Sequence, residues 1–272
     1  MKNLLPLLVA LIFTAPVLAG AAPQPELWPR WQAYDANSTV TIDHSAWADF
    51  LDRYLVTKHP SGINRLRYAA VTSADKKALA AYLDRLQGTA VSTLNRQEQK
   101  AYWINLYNAL TVKVILDHYP AKSIRDIDIS PGWFSDGPWD ARLLTIEGEK
   151  LSLNDIEHRI LRPIWQDNRV HYAVNCASLG CPNLQPQPFT AKNLEDLLDK
   201  SARDYINHPR GMKVEGDEAV LSSIYDWFQV DFGGNEEGVR QHLLKYAEPD
   251  RAAYLKTGKV HFSYDYDWAL NE

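Results

Sequence analysis

The sequence predicts an α+β domain, on three observations. Helix-period stripes and short period-2 runs follow one another without the regular strand–helix–strand repetition of a doubly wound sheet. One long segment, NRQEQKAYWINLYNALTVKVILDHYP, is apolar nearly all the way round from Ala101 to Leu116, as befits a helix buried at the centre. Two pairs of short runs, around residues 143–153 and 212–222, read as hairpins. The expected architecture is a single domain over 43–272, with the buried helix packed on an antiparallel sheet and further helices at its periphery.

Before that domain the chain reads as an export leader and a spacer. Lys2 supplies a positive start, Leu4 to Phe13 an apolar stretch, and Ala19, Gly20, Ala21 and Ala22 a small-residue cleavage region. Residues 1–22 are therefore assigned to a cleaved signal and 23–42, rich in Pro, to an N-terminal extension. No segment reaches the roughly 20 apolar residues a membrane span requires. The expected location is periplasmic or secreted. Formal charge is −5 over 272 residues, and loss of Lys2 makes the mature chain more negative. With no block of Lys or Arg, nucleic acid is excluded as the expected partner, because phosphate binding needs clustered cations.

The elements follow in order. DHSAWADFLDRYL places Trp47, Phe50, Leu51, Tyr54 and Leu55 at helical spacing behind Asp43 as a cap. RLRYAAV reads as a short strand. In SADKKALAAYLDRLQG, Ser73 caps, Leu79, Tyr82, Leu83 and Leu86 form the stripe, and Gly88 stops it. Asn95 and Glu98 fit a capping box for the central helix, which ends before Pro120. On that helix Asn105 and Asn108 lie one turn apart. A buried amide without partners costs on the order of 1–3 kcal/mol, so both are expected to be hydrogen-bonded, to structural backbone or to a catalytic group. At least one should face the segment from His171 to Cys176.

A Gly/Pro-punctuated loop, DISPGWFSDGPWDARLL, then carries Trp133, Phe134 and Trp139 beside Asp136 and Asp140. Aromatics next to carboxylates suit a sugar or peptide, so Trp133 and Trp139 are candidate binding residues. Two Asp four apart also raise a glycosidase reading, a weak one at that spacing. After the first hairpin, LNDIEHRILRPIWQ is a helix with Asn154 and Glu157 as its capping box, and His158 and Arg162 on one face that could line a cleft. In VHYAVNCASLGCP, Val170, Tyr172 and Val174 alternate with His171, Ala173 and Asn175 as in a half-buried strand, with Cys176 at its end. LEDLLDKSARDYI, IYDWF and VRQHLLKY are further amphipathic helices. The closing KVHFSYDYDWALN alternates Val260, Phe262, Tyr264 and Tyr266 against His261, Ser263, Asp265 and Asp267, a strand fixed in a sheet.

Four blocks, WINLYNAL at 103–110, LSLNDIEHRILR at 151–162, HYAVNCASLGCP at 171–182 and YDWALN at 266–271, resemble in this order the signature blocks of domain-of-unknown-function family 547. The resemblance implies a widespread, often exported family and carries over neither an activity nor a catalytic residue. The plan of a buried helix against a sheet also resembles the papain and transglutaminase folds. Those enzymes place their cysteine at the start of the central helix; this helix carries Asn105 and Asn108 instead, and the cysteines lie on a later segment.

The only two cysteines, Cys176 and Cys181, thus leave open a free nucleophile, a disulfide, and a redox-switched combination of the two. A nucleophilic Cys176 needs a base, His158 before His171, and an orienting group among Glu157, Asn105, Asn108 and Asp267, with Asn175 and Arg162 as binding residues. This would be a cysteine-dependent hydrolase or acyl transferase acting on amide or ester bonds of a small-molecule, peptide or glycan substrate. In an oxidising compartment the same pair can instead form a disulfide that ties the loop, leaving a binding or assembly module. No cofactor is expected. A metal site built from His158, His171, Cys176 and Cys181 lacks any recognised ligand spacing.

Overall fold

The computed structural model describes residues 22–132, 136–258 and 260–272. The leader up to Ala21, and Trp133 with Phe134, lie outside them. Helix α1 (Ser45–Tyr54) buries Trp47, Phe50, Leu51 and Tyr54, and Asp43 accepts the Ser45 amide at 2.8 Å. Strand β1 (Leu55–Val56) pairs antiparallel with β2 (Arg65–Leu66). The run after Leu66 is not a longer strand but a 3-10 turn, Tyr68–Ala70. Helix α2 (Ser73–Gln87) is capped by Thr72, whose hydroxyl accepts the Asp75 amide at 3.1 Å, so the cap sits one residue before the expected Ser73.

Helix α3 (Arg96–Asp117) is the hub: Asn95 caps it by accepting the Glu98 amide, and every residue from Glu98 to Val112 is buried. Glu98 does not complete a capping box. Its carboxylate takes the Ile42 amide at 2.7 Å and so ties the N-terminal extension to the hub. The hairpin β3 (Leu144–Ile146) and β4 (Glu149–Leu151) turns at Glu147 and Gly148, both at positive φ, the pairing that suits the twist of a two-residue hairpin. Next comes a wide helical turn of π type, Asp155–Leu161, continued by α4 (Arg162–Trp165). Helix α5 (Leu194–Ile206), the hairpin β5 (Met212–Glu215) and β6 (Glu218–Ser222), α6 (Ile224–Trp227), α7 (Glu236–Tyr246), α8 (Pro249–Leu255) and β7 (His261–Asp265) complete the chain.

The class is α+β, as expected, but the sheet differs from expectation in kind and place. Strands β1–β2 and β3–β4 form separate two-stranded sheets, and only β5–β6–β7 has three strands, with β6 and β7 parallel. That sheet belongs to a second apolar cluster around Tyr172, Tyr205, Leu221, Tyr225 and Leu243, whereas α3 lies in the first with α1, α2 and the π turn. The two antiparallel hairpins still share the hub's core, through Leu66, Leu144, Ile146 and Leu151. Helices cover the rest, because the apolar surface of the hub is continuous and a small sheet covers only one side.

The segment 170–175 is a second correction. It forms a 3-10 turn, Asn168–Tyr172, and then an irregular loop. Its alternation suggested one wet face, but His171 and Asn175 are as buried as Val170 and Tyr172. Asn175 bonds Asn108, Ala177 and Pro182, and His171 Nε2 bonds Asp231, which reduces the need for solvent that a half-buried strand would imply.

Candidate functional site

Asn105 and Asn108 prepare the site from beneath. Both are buried, and each grips a neighbouring backbone with donor and acceptor together: Asn105 holds both main-chain groups of Phe189, at 2.7 and 3.0 Å, and Asn108 donates to Ala173 O and accepts Asn175 N at 2.9 and 2.8 Å. Their amides are occupied by backbone and orient no histidine. Asn108 thereby fixes where the cysteine loop leaves the hub.

Asn175 shapes the loop itself. Its Oδ1 accepts the Ala177 amide at 2.9 Å, holding Ala177 at φ 60°, and its Nδ2 donates to Pro182 O at 2.7 Å. Closing 175–182 in this way brings Cys176 and Cys181 together. The C-terminal tail then covers the loop, with Leu179 N on Ala269 O, Gly180 N on Asp267 O and Asn271 N on Ala177 O. Gly180 is required by contact, since a Cβ there would lie 2.9 Å from Asp267 N and 3.0 Å from both Asp267 O and the Tyr266 ring. Gly180→Ala is expected to cost about 1–3 kcal/mol in chemical denaturation and to slow alkylation of Cys176 near pH 7, because Tyr266 is pushed off the sulfur. Unchanged stability and thiol reactivity would show that the tail yields freely.

Both cysteines are free thiols, Cys176 half-buried and Cys181 buried, with their sulfurs 3.0 Å apart. Around the Cys176 sulfur stand Ser178 Oγ at 3.2 Å and Tyr266 Oη at 3.1 Å. The Cys181 hydrogen bond, helped by Ser178 and Tyr266 against the opposing effect of burial, lowers the Cys176 thiol to about 7. Burial, together with the adjacent Cys176, pushes Cys181 well up. Among the described residues no imidazole is a hydrogen-bond partner of the Cys176 sulfur.

The histidines are supplied by the π turn and the 3-10 turn. Ser152 and Asp155, rather than Asn154 and Glu157, form the capping box: Ser152 Oγ accepts Asp155 N at 3.1 Å and Asp155 accepts Ser152 N at 3.0 Å. Glu157 is thus released to face inward. Pro163 offers no amide to the preceding turn, and the carbonyls of His158 and Arg159 are taken by Glu26 N and Trp28 N at 2.9 and 3.0 Å. A π turn of this kind often marks a functional position.

His158 Nδ1 lies 2.9 Å from Arg162 Nη1, and an arginine can only donate, so the proton of the neutral ring sits on Nε2. Burial lowers His158 to about 4 and keeps it neutral. In this tautomer the remaining nitrogen is a donor, an arrangement that favours His158 less than His171 as a base. His171 is differently placed. Its Nε2 is 2.7 Å from Asp231 Oδ2, its Nδ1 is 3.7 Å from Glu157 Oε1, and Phe228 stacks on the ring at 4.4 Å between centroids. Arg162 Nε also bonds Asp231, at 2.5 Å, and its Nη1 donates to Pro23 O at 2.6 Å. Burial works to raise Asp231, but the hydrogen bonds from His171 and Arg162 outweigh it and hold the carboxyl at about 2.

These two walls enclose one cavity of about 410 Å³, within the range of small-molecule sites. Cys176 and Cys181 line it, as do Tyr107, Glu157, His158 and His171, and its mouth carries Trp139, Trp227, Tyr266 and Trp268. Those four rings contact one another, with centroids between 4.7 and 5.8 Å. Of the candidate binding residues, Trp139 lines the cavity and Arg162 does not. Asp136 and Asp140 also border the cavity, but Asp136 is paired with Arg125 and Asp140 accepts from Asn154 at 2.7 Å, an arrangement that does not favour a glycosidase pair. Among the described residues no group of three His, Cys, Asp or Glu side chains is placed to hold a metal ion, and no helix is long and apolar enough to cross a membrane.

Sequence reasoning missed Asp231, Tyr266, Trp227 and Trp268 as site residues. Asp231 sits in a short 3-10 turn, Gln229–Phe232, with no motif around it. The aromatic richness of YDWF and YDYDW was the only signal.

Residues 91–206 match the family model described as "Protein of unknown function, DUF547". Three of the four resembling blocks fall inside this range; the fourth, 266–271, lies beyond it, yet packs on the cysteine loop. Neither the curated proteins nor the solved structures yield a match to the chain.

Proposed function

For this member of the DUF547 family, whose description assigns no activity, we propose a cysteine-dependent hydrolase or acyl transferase acting on amide or ester bonds, working after export in the periplasm or outside the cell. The observation that supports this reading is that a thiol lowered to about 7 and an imidazole held by a carboxylate line the same cavity. Cys176 is the nucleophile. At neutral pH a large fraction of it is thiolate, so attack needs no base in contact with the sulfur. His171, oriented by Asp231, is the proton carrier: it protonates the leaving amine or alcohol, then accepts a proton from the water that cleaves the thioester. His158 Nε2–H adds a donor on the same wall, Tyr107 holds Glu157 beside it, and the aromatic mouth takes an apolar or ring-bearing substituent.

The proton that His171 gives to the leaving group is the one released when Cys176 ionises, and the proton taken from water restores the starting state as the thiolate leaves. The test follows the thiol first. Alkylation of native protein by iodoacetamide is expected to rise with pH through a midpoint near 7 and to label Cys176 before Cys181. Release of p-nitrophenol from short acyl esters should fall at least about 1,000-fold in Cys176→Ala and at least about tenfold in His171→Asn. A Cys176→Ala protein that keeps full ester turnover, or an alkylation midpoint above 9, rejects the assignment.

A further inference from the structure

The acyl-transfer reading uses one sulfur, yet the loop delivers two. A second thiol against the nucleophile is unnecessary for acyl chemistry and exposes it to loss by oxidation. We propose that the Cys176–Cys181 pair also performs thiol–disulfide exchange with small organic disulfides, Cys176 attacking and Cys181 resolving.

Geometry carries this inference. The sulfurs are already 3.0 Å apart, so a bond of about 2.05 Å needs a movement of about 1 Å. That movement lies within a loop whose ends are clamped by Asn175, so the hub need not shift. The two sulfurs are also unequal in access. Cys176 is half-buried and borders the cavity, while Cys181 is 5% exposed, so an incoming disulfide reaches Cys176 first. The lowered Cys176 and raised Cys181 fit the same division, since the attacking thiol works best with a pKa near ambient pH. The cavity of about 410 Å³, lined by Trp227, Tyr266 and Trp268, has room for a small disulfide.

The steps balance. Cys176 thiolate attacks one sulfur of R–S–S–R, forming the mixed disulfide Cys176–S–S–R and expelling RS⁻, which takes up a proton. Cys181 gives up its proton, and its thiolate attacks the Cys176 sulfur, forming the Cys176–Cys181 bond and expelling the second RS⁻. Two electrons pass from the protein dithiol to the substrate, which leaves as two thiols. Reversal by an external dithiol restores the reduced pair.

Mass spectrometry of intact, folded protein after reaction with 2-hydroxyethyl disulfide tests this without any acyl substrate, so its failure leaves the hydrolase reading untouched and vice versa. Reduced wild type is expected to finish as the internal disulfide with no adduct. Cys181→Ser should stop at a mixed disulfide on Cys176, and Cys176→Ser should react at least about tenfold more slowly. A wild type that accumulates a lasting adduct on Cys176, or a Cys176→Ser protein that reacts at the wild-type rate, overturns the proposal. Near-UV circular dichroism of each variant establishes that its loop is read in the native fold.

Discussion

A chain ending at residue 259 is expected not to fold cooperatively. The segment removed carries β7, which pairs in parallel with β6 from Glu218↔His261 to Ser222↔Asp265. Beyond the strand, the tail accepts Leu66 N on Asn271 O, Leu179 N on Ala269 O and Gly180 N on Asp267 O, and donates Leu270 N to Lys122 O and Asn271 N to Ala177 O. Each such bond is worth roughly 1 kcal/mol net, and each leaves a desolvated partner behind when lost. With the burial of Val260 and Leu270 added, the loss is comparable to the about 5–15 kcal/mol that hold a typical domain together. The tail thereby joins the β2 edge, the segment after α3 and the cysteine loop. A soluble truncation with a sharp thermal transition, followed by circular dichroism, would show that these contacts are dispensable.

Acid is expected to destabilise the fold well before its carboxylates protonate. His44, His158 and His242 are each lowered to about 4, in every case chiefly by burial. His44 and His242 bond Tyr82 and Tyr172 through single ring nitrogens, at 2.6 and 2.7 Å. In the unfolded chain these rings titrate near 6.5, so between about pH 6.5 and 4 the unfolded state binds more protons than the native one. Stability is then full above about 6.5 and falls as pH drops towards 4, by up to roughly 1.4 kcal/mol per pH unit for each histidine. Urea denaturation from pH 7.5 to 4 should show this slope, and His242→Gln should reduce it by about a third. A flat profile down to pH 5 would contradict burial of the neutral rings. Asp231 acts lower: held near 2, it stabilises the native state above its ordinary value near 3.8, and that contribution is lost as pH falls through about 2.

The sequence determined the elements whose signals are local. The all-round apolar run of α3, the stripes of α1 and α2 and the hairpin at Glu147–Gly148 were legible because periodicity and turn chemistry act within a few residues. It also showed that Asn105 and Asn108 must be paired and that Cys176, His158, His171, Glu157 and Trp139 were worth following, since costly buried or reactive side chains stand out by type. Only the tertiary structure decided how these meet. The alternation at 170–175 resembled a strand because burial of polar groups depends on partners far away in sequence, here Asn108 and Asp231. The same distance hid Asp231 and Tyr266, which reach His171 and Cys176 across 60 and 90 residues. Whether two cysteines bond, or stand as unequal thiols, is likewise set by the clamp at Asn175 and the tail at Tyr266. A hydrogen bond depends on position in space, and chain separation carries no record of it.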